Sequence, residues 1–156
     1  MEEVILSLGS NMGDRAGNLR RAVALIGERA GKVTAVSAIY ETEPWGFSAD
    51  TSFYNMAAIV QSTLAPPEFL AVLLAIEEKL GRVRESGTDR YTSRPIDIDI
   101  LFFGDLIIDT EGLTVPHPRL HERMFVLAPL NEIAPEKVHP VLNRSIRDLF
   151  KDCDDD

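Results

Sequence analysis

The chain has 156 residues, of which 25 are acidic and 16 basic, so its net charge at pH 7 is −9. A chain of this length suits one domain, which we expect to span residues 1–156 and to bury a full core without covalent staples. The acidic balance disfavours broad nucleic-acid binding, the single cysteine excludes a disulfide framework, and the lack of a long apolar run excludes a membrane span.

The first half of the chain alternates between strand and helix patterns. Stretches rich in β-branched residues predict strands at residues 4–11, 32–42 and 52–63. Apolar residues recur at helical spacing over residues 14–28, directly after a capping aspartate. A second helix is predicted at residues 65–81, with proline tolerated in its first turn and a glycine at its end.

The second half opens on a polar loop at residues 82–94, long enough to suggest a functional role. It continues into the apolar stretch "RPIDIDILFFGD", residues 94–105, which predicts a strand. The remaining predicted elements are a short hairpin at 105–116, a helix at 118–135 broken by Pro129, and a short helix at 145–150. The acids of the final "DCDDD" are expected to form a solvated, frayed end.

The element order β-α-β-β-α-β is the ferredoxin-like pattern. It predicts an α+β domain in which an antiparallel sheet carries helices on one face, followed here by a C-terminal extension. No basic region precedes the first apolar stretch, so no signal peptide is expected and the cytoplasm is the expected compartment. Nothing in the sequence demands more than a monomer.

Two acids interrupt the apolar strand pattern. Because side chains alternate along a strand, Asp97 and Asp99 share one face, while Ile96, Ile98 and Ile100 share the other and are expected in the core. Residues i and i+2 of a strand lie about 6.5–7 Å apart at Cα. Two carboxylates that close suit Mg²⁺, which completes its shell with water and substrate phosphates. An isolated D-x-D is also typical of a solvated sheet face, so neighbouring charges decide between the two interpretations.

Basic residues cluster in two places near the acid pair in sequence. Four arginines stand against two acids in the loop, a local charge of +2, and a second group follows the hairpin. These residues are Arg82, Arg84, Arg90 and Arg94, then His117, Arg119, His121 and Arg123. Guanidinium groups suit phosphate oxygens, and an acid pair facing them is typical of phosphoryl transfer. For His121, simple surface placement is the preferred interpretation.

Aromatic residues suggest a pocket for a flat ring. Trp45, Phe53 and Phe125 can stack on a heterocycle, and Asn55 lies on the same side of its strand as Phe53. A side-chain amide both donates and accepts hydrogen bonds, so it can recognise a ring edge. Ordinary core packing of the two phenylalanines is an equally simple interpretation of the spacing.

Six motifs follow one another along the chain: "LGSN", "YETEPWG", "FYNMA", "GRVR", "RPIDIDIL" and "LTVPHPRLHERMFVLAPL". In these motifs and their order the chain resembles the hydroxymethyl-dihydropterin pyrophosphokinase family of folate biosynthesis, and the resemblance covers nearly the whole chain. It implies a three-layer ferredoxin-like domain that transfers pyrophosphate from ATP to the hydroxymethyl group of a reduced pterin and releases AMP.

The resemblance also implies roles for individual residues. Two Mg²⁺ ions are expected at Asp97 and Asp99, and catalytic contacts at those acids and at Arg82 and Arg94. The implied ATP contacts are Arg84, Ile100, Leu113, Thr114, His117 and Arg123. The implied pterin contacts are Thr42, Trp45, Phe53, Asn55 and Phe125. Glu77 matches a recurrent family acid and is expected to brace a nearby arginine.

Two other classes of function stay open on sequence alone. Ferredoxin-like domains also serve as non-catalytic ligand-binding modules, because fold does not decide function. A nucleotidyl-transfer or hydrolytic enzyme could use the same pair of acids. The product formed from ATP discriminates among the three.

Overall fold

The computed structural model describes residues 1–42, 52–81 and 95–155 of the chain. The elements in these ranges are β1 (Glu2–Ser10), α1 (Arg15–Arg29), β2 (Lys32–Val36), β3 (Tyr40–Thr42), β4 (Phe53–Ser62), α2 (Pro66–Lys79), β5 (Asp97–Phe103), β6 (Ile108–Asp109), β7 (Thr114–Val115), a short 3₁₀ helix (Leu120–Glu122), α3 (Met124–Ile133) and α4 (Ile146–Asp152). None of the helices in these ranges has the length and apolarity that crossing a bilayer requires.

The main sheet has the strand order β2-β4-β1-β5, and β3 pairs with the other end of β4. Every pairing is antiparallel. The order places the first and third strands of the β-α-β-β-α-β pattern in the centre of the sheet. The predicted ferredoxin-like α+β fold is therefore confirmed, and so is the predicted hairpin, which forms the separate two-stranded β6-β7 sheet.

Helices cover both faces of the sheet. Leu19 and Ile26 of α1 and Phe69 of α2 pack against one face, in a core cluster that also holds Ile98 and Ile100. The opposite face packs against residues of α3 and α4 in a second cluster. The element order predicts helices on one face only. This is true of α1 and α2, but α3 and α4 pack on the opposite face. The C-terminal extension supplies the third layer, which is the arrangement that the family resemblance implies.

The strand predicted at residues 32–42 is divided into β2 and β3. Ser37 lies between them. Its N–H donates to the Ala57 carbonyl at 2.9 Å, as in a regular ladder, but the Ala57 N–H donates to the Ser37 Oγ at 2.9 Å instead of to a backbone carbonyl. The next N–H, of Ala38, turns away from the sheet and donates to the Glu132 carboxylate at 3.1 and 3.2 Å. A serine and a distant acid therefore break a strand that its alternation predicts to be continuous.

The helix predicted at residues 118–135 begins later and is not broken at Pro129. Arg123 has extended backbone angles (φ −121°, ψ 108°), and α3 runs from Met124 through Pro129 to Ile133. The Asp155 carboxylate accepts the Met124 N–H at 2.9 Å and so satisfies one free donor at this helix start. The expectation that the tail acids are all solvated is therefore wrong for Asp155, and the break occurs at Arg123.

Candidate active site

Two rows of paired residues form what we call the site floor, on the sheet face that carries α3 and α4. Residues directly opposite each other in an antiparallel pair share a face of the sheet. The rows cross β4, β1 and β5, and they are Asn55–Gly9–Asp97 and Ala57–Ser7–Asp99. Asn55 and Asp97 are thus two strand spacings apart, about 9.5 Å, across a glycine. The sheet brings the predicted metal and pterin residues onto one face.

The alternation predicted for β5 is confirmed. Asp97 and Asp99 are half-buried, while Ile98 and Ile100 are buried in the α1–α2 core. Both acids have small partners across the ladder, Gly9 opposite Asp97 and Ser7 opposite Asp99. No group of three or more His, Cys, Asp or Glu side chains gathers within residues 1–42, 52–81 and 95–155. A pair of hard oxygen ligands fits Mg²⁺, which takes its other ligands from phosphates and water.

A buried acid on α2 holds the strand between the two aspartates. Glu77 is 2% exposed, and its Oε2 accepts the Ile98 backbone N–H at 2.7 Å. This N–H points away from β1, toward the edge of β5. The carboxylate therefore fixes the backbone between Asp97 and Asp99 from the α2 side. The arginines of the 82–94 loop lie outside the described residues, so the expected contact between Glu77 and an arginine stays a prediction.

We expect Glu77→Ala to destabilise the protein by about 2–3 kcal/mol, because a buried N–H loses a charged acceptor. Turnover should fall as well, since the strand that carries both acids is no longer held. Urea unfolding and initial rates check the two effects. Glu77→Gln keeps an acceptor oxygen and should lose less of both, and the exposed neighbour Glu78, changed to Gln, is the control. Equal stability of Glu77→Ala and the Glu78→Gln control would contradict this role.

The pterin residues predicted on β3 and β4 are connected by hydrogen bonds. The Asn55 side chain is 4% exposed, and its Nδ2 donates to Thr42 Oγ1 at 2.8 Å. Thr42 pairs with Phe53 across the β3–β4 ladder. Asn55 Oδ1 lies over Gly9, at 2.9 Å from where a Cβ on that glycine would be. The amide is thus held between a hydroxyl and a glycine at the edge of the floor.

The second predicted aromatic comes from α3. Phe125 is half-buried and packs against the cluster on the same sheet face as Asn55 and Phe53. The Arg123 guanidinium carbon lies 5.6 Å from the Phe125 ring centroid. Because Arg123 is the extended residue before α3, its side chain and the Phe125 ring both lie at the start of that helix.

His117 joins the hairpin to the site. Its N–H donates to the Leu101 carbonyl of β5 at 3.0 Å, and its Nδ1 accepts the Arg119 N–H at 3.2 Å. The accepting Nδ1 assigns the proton of the neutral ring to Nε2, which is then a donor. Burial lowers the pKa of His117 to about 4, with nearby Arg123 and Arg119 adding to the effect and Asp97 opposing it. His117 is therefore neutral at pH 7. It lies close to the positive charge of Arg123 and to the negative charge of Asp97.

The lowered pKa of His117 predicts an acid-sensitive contribution to stability. An unfolded histidine titrates near 6.5, so between pH 6.5 and 4 the unfolded chain binds the proton and the folded chain does not. The contribution is complete above pH 6.5 and is lost as the pH falls through about 4. We expect His117→Gln to lose less unfolding free energy than the wild type between these values in urea titrations. Parallel pH profiles would contradict the assignment.

Three of the residues implied to contact ATP lie on β5 or in the neighbouring hairpin. The Ile100 side chain is buried in the α1–α2 core, so only its backbone can contact a ligand. Leu113 packs partly against the same cluster, and Thr114 is exposed on β7. The predicted sites Trp45, Arg82, Arg84 and Arg94 lie outside the described residues.

Three residues at the site have contacts that sequence reasoning did not predict: Gly9, Ser7 and Glu77. Gly9 is part of the quoted "LGSN", but only the strand register shows that it separates Asn55 from Asp97. For Glu77 a signal exists, because a lone acid near the apolar face of a helix needs a buried partner. Ser7 gives no signal, since a serine within an apolar strand fits many surroundings.

Comparison with known proteins identifies the family of the chain. Residues 5–135 match the family model described as 7,8-dihydro-6-hydroxymethylpterin-pyrophosphokinase (HPPK). The chain is 50% identical over 129 residues to the 2-amino-4-hydroxy-6-hydroxymethyldihydropteridine pyrophosphokinase of Bacillus subtilis, covering 82% of this chain and 75% of that protein. It is 42% identical over 141 residues to the enzyme of the same name from Porphyromonas gingivalis, covering 90% and 95%.

Longer proteins contain a similar unit. The chain is 44% identical over 132 residues to the folate synthesis bifunctional protein of Arabidopsis thaliana, covering 85% of this chain and 27% of that one. A crystal structure of Plasmodium falciparum HPPK-DHPS superposes with a TM-score of 0.75 at 21% identity, over 97% of this chain and 43% of the solved chain. The fold therefore agrees with that of the solved Plasmodium chain. The family model and the two bacterial relatives show that the sequence agrees as well. The chain belongs to the 7,8-dihydro-6-hydroxymethylpterin-pyrophosphokinase family.

Proposed function

We propose that this chain transfers the terminal pyrophosphate of ATP to the hydroxymethyl oxygen of 6-hydroxymethyl-7,8-dihydropterin and releases AMP. The observation that carries the proposal is the site floor, because the row Asn55–Gly9–Asp97 puts an amide suited to a pterin edge on the same face as the acid pair. A pterin at one end and phosphates at the other would meet above β1. We propose that the chain has the same role in folate synthesis as the other members of its family.

Asp97 and Asp99 would hold two Mg²⁺ ions against the phosphate chain of ATP. Bound there, Mg²⁺ supplies charge neutralisation of the phosphates and makes a coordinated hydroxyl more acidic. The protein's own part is to fix both carboxylates on one strand. Glu77 serves this by holding the Ile98 N–H between them. The buried isoleucines on the other face of β5 prevent that strand from rotating its acids away.

His117 and Arg123 would bind further phosphate oxygens. A neutral His117 donates from Nε2, and it costs little to keep neutral because its pKa is lowered to about 4. Arg123 contributes a permanent positive charge that can bind phosphate through two donors. The loop arginines Arg82, Arg84 and Arg94 are proposed to act on the same phosphates.

The pterin would lie between Phe53 and Phe125, with its edge read by Asn55. The Asn55 amide is oriented in advance by Thr42, so little side-chain freedom is lost on binding. Trp45 is proposed as a further contact. Ile100, Leu113 and Thr114 would surround the adenine through the edge of β5.

The transfer itself would be an in-line displacement at the β-phosphorus. The hydroxymethyl oxygen forms a bond to that phosphorus as the bond to the α,β-bridging oxygen breaks, and the bonding electrons leave with AMP. The hydroxyl proton is released in the same step. Positioning and charge neutralisation carry most of the rate of such a reaction, so no covalent intermediate with the protein is needed.

The unit proposed to do this is the single domain of residues 1–156, acting as a cytoplasmic monomer. The chain spans 27% of the Arabidopsis bifunctional protein and 43% of the solved Plasmodium chain. Further activities in those longer proteins are not part of the proposal. Neither nucleic acid nor a membrane is proposed as a partner.

Nucleotide analysis tests the proposal. The protein is incubated with ATP, Mg²⁺ and the hydroxymethyl-dihydropterin, and the products are separated by anion exchange. We expect AMP and a pterin diphosphate in equal amounts, and neither product when the pterin is left out. Formation of ADP would indicate single-phosphate transfer, and pterin-independent loss of ATP would indicate a hydrolase or nucleotidyl transferase. Binding of both ligands without turnover would indicate a ligand-binding module.

A further inference from the structure

The first residue of α1 contacts the back of the pterin-binding strands. Arg15 Nη1 donates to the Ser52 carbonyl and to Ser52 Oγ, each at 2.9 Å. Its guanidinium carbon lies 3.9 Å from the centroid of the Tyr54 ring, and Nη1 lies 3.9 Å from Glu41 Oε2. Ser52 Oγ in turn donates to Glu41. We call these four residues, Arg15, Glu41, Ser52 and Tyr54, the Arg15 clamp.

The clamp acts on both strands that carry the proposed pterin residues. Glu41 pairs with Tyr54, and the next pair along the ladder is Thr42 with Phe53. Because side chains alternate, the clamp residues and the pterin residues lie on opposite faces of the same two strands. Tyr54 accordingly packs against the α1–α2 core. Arg15 therefore joins the ends of β3 and β4 from behind the pocket.

The chemistry of the contacts suits a positioning role better than a role in global stability. The Arg15 side chain is 23% exposed and Glu41 is 59% exposed, so their ion pair is well screened by water. The planar guanidinium instead fixes direction: it stacks on a ring and donates two bonds to one serine. Such contacts constrain how two strand ends lie relative to each other.

We propose that Arg15 is a positioning residue that sets the pterin-binding geometry of Thr42, Phe53 and Asn55 without touching the substrate. The proposal rests on the proposed function, since it requires those three side chains to bind the pterin. The N-terminus of α1 would thus affect pterin binding but neither ATP binding nor the transfer step. ATP binding and the transfer step depend on β5 and the region around His117, which the clamp does not touch.

Steady-state kinetics test the selectivity. We expect Arg15→Ala to raise KM for the pterin about tenfold, with kcat and KM for ATP changed by less than about twofold. Arg15→Lys keeps the charge but loses the planar stack on Tyr54, so its KM for the pterin should lie between those of the wild type and Arg15→Ala. Arg20 is an exposed arginine of the same helix, and Arg20→Ala is the matched control, with all three parameters unchanged. An unchanged pterin KM in Arg15→Ala, or an equal loss in kcat, would overturn the proposal.

Hydrogen exchange without substrates separates this proposal from the proposed function. In Arg15→Ala we expect faster amide exchange at residues 40–42 and 52–55, and unchanged exchange at 97–103. Unaltered exchange at the β3–β4 pairs would overturn the clamp, whatever reaction the enzyme catalyses. If exchange rises as expected but the wild-type protein forms no AMP from ATP and the pterin, the clamp is upheld and the proposed function fails, and with it the pterin role of the clamp.

Discussion

Replacing either strand acid with its amide is expected to reduce turnover about 10³-fold or more. Asp97→Asn and Asp99→Asn keep the shape of the side chain but remove the charge that would hold Mg²⁺. Bound metal contributes several kcal/mol to such transition states, and each 1.36 kcal/mol is a factor of ten in rate. Both variants should fold, because asparagine keeps the shape of the side chain and one acceptor oxygen. Initial rates at saturating ATP and Mg²⁺ measure the effect.

The matched control for the acid pair is Glu3→Gln. Glu3 is an exposed acid on β1, the strand beside β5, but it lies at the other end of the sheet, where its carbonyl accepts the Gly104 N–H at 2.8 Å. Removal of its charge should leave kcat unchanged. Turnover of Asp97→Asn or Asp99→Asn within about threefold of this control would show that the acids do not hold the catalytic metal.

Gly9→Ala is expected to weaken pterin binding selectively, with KM for the pterin raised about tenfold. A methyl group at Gly9 would lie 2.9 Å from Asn55 Oδ1 and 3.8 Å from Phe53 Cδ1, so the Asn55 amide has to move. Its bond to Thr42 would then lengthen, and a misplaced hydrogen-bonding group costs about 1.4 kcal/mol, a factor of ten in affinity. Steady-state kinetics with varied pterin and fixed ATP check the prediction, and KM for ATP should not change.

A double-mutant cycle identifies the cause of this effect. Asn55→Ala alone removes the amide and should also raise the pterin KM. If the Gly9 methyl acts by displacing Asn55, adding Gly9→Ala to Asn55→Ala should cost little more, because the atom it would meet is gone. Such non-additivity is expected of residues in direct contact. Fully additive losses would mean that Gly9 acts on the pterin by some other contact.

The regular part of the fold follows from sequence patterns because each pattern is local. The alternation of acids and isoleucines in β5 predicts which side chains enter the core, and Asp14 predicts the start of α1, where its Oδ1 accepts the Gly17 N–H at 3.0 Å. The ferredoxin-like order is similarly contained in the succession of these patterns. Neither prediction requires knowledge of a distant residue.

The predictions that were wrong concern contacts between residues far apart in the chain. The break between β2 and β3 uses Glu132, which is 94 residues from Ala38. The start of α3 uses Asp155, which is 31 residues beyond Met124, in a tail whose composition suggests solvation. Periodicity in a window of neighbouring residues cannot contain such partners.

The site residues show the same difference between what local sequence predicts and what depends on distant segments. The residue types that suit metal and phosphate are visible in "RPIDIDIL" and "LTVPHPRLHERMF", but their common face is a property of strand register. The row that joins Asn55, Gly9 and Asp97 depends on β1 lying between β4 and β5, which no single stretch of sequence states. The Arg15 clamp is likewise invisible in sequence, since an arginine in the first turn of a helix is usually a solvated charge.

Paramagnetic broadening by Mn²⁺ tests the central claim most directly, because Mn²⁺ replaces Mg²⁺ at oxygen ligands. The ¹⁵N-labelled protein is mixed with Mn²⁺ and an ATP analogue that has a methylene group between the α and β phosphorus atoms. We predict that amide signals of Ser7, Gly9 and Ile98 broaden strongly, that Asn55 broadens less, and that Gly104 at the far end of β5 does not. The pattern should disappear in the Asp97→Asn, Asp99→Asn double variant. Broadening centred elsewhere on the sheet, or persisting in that variant, would contradict the account.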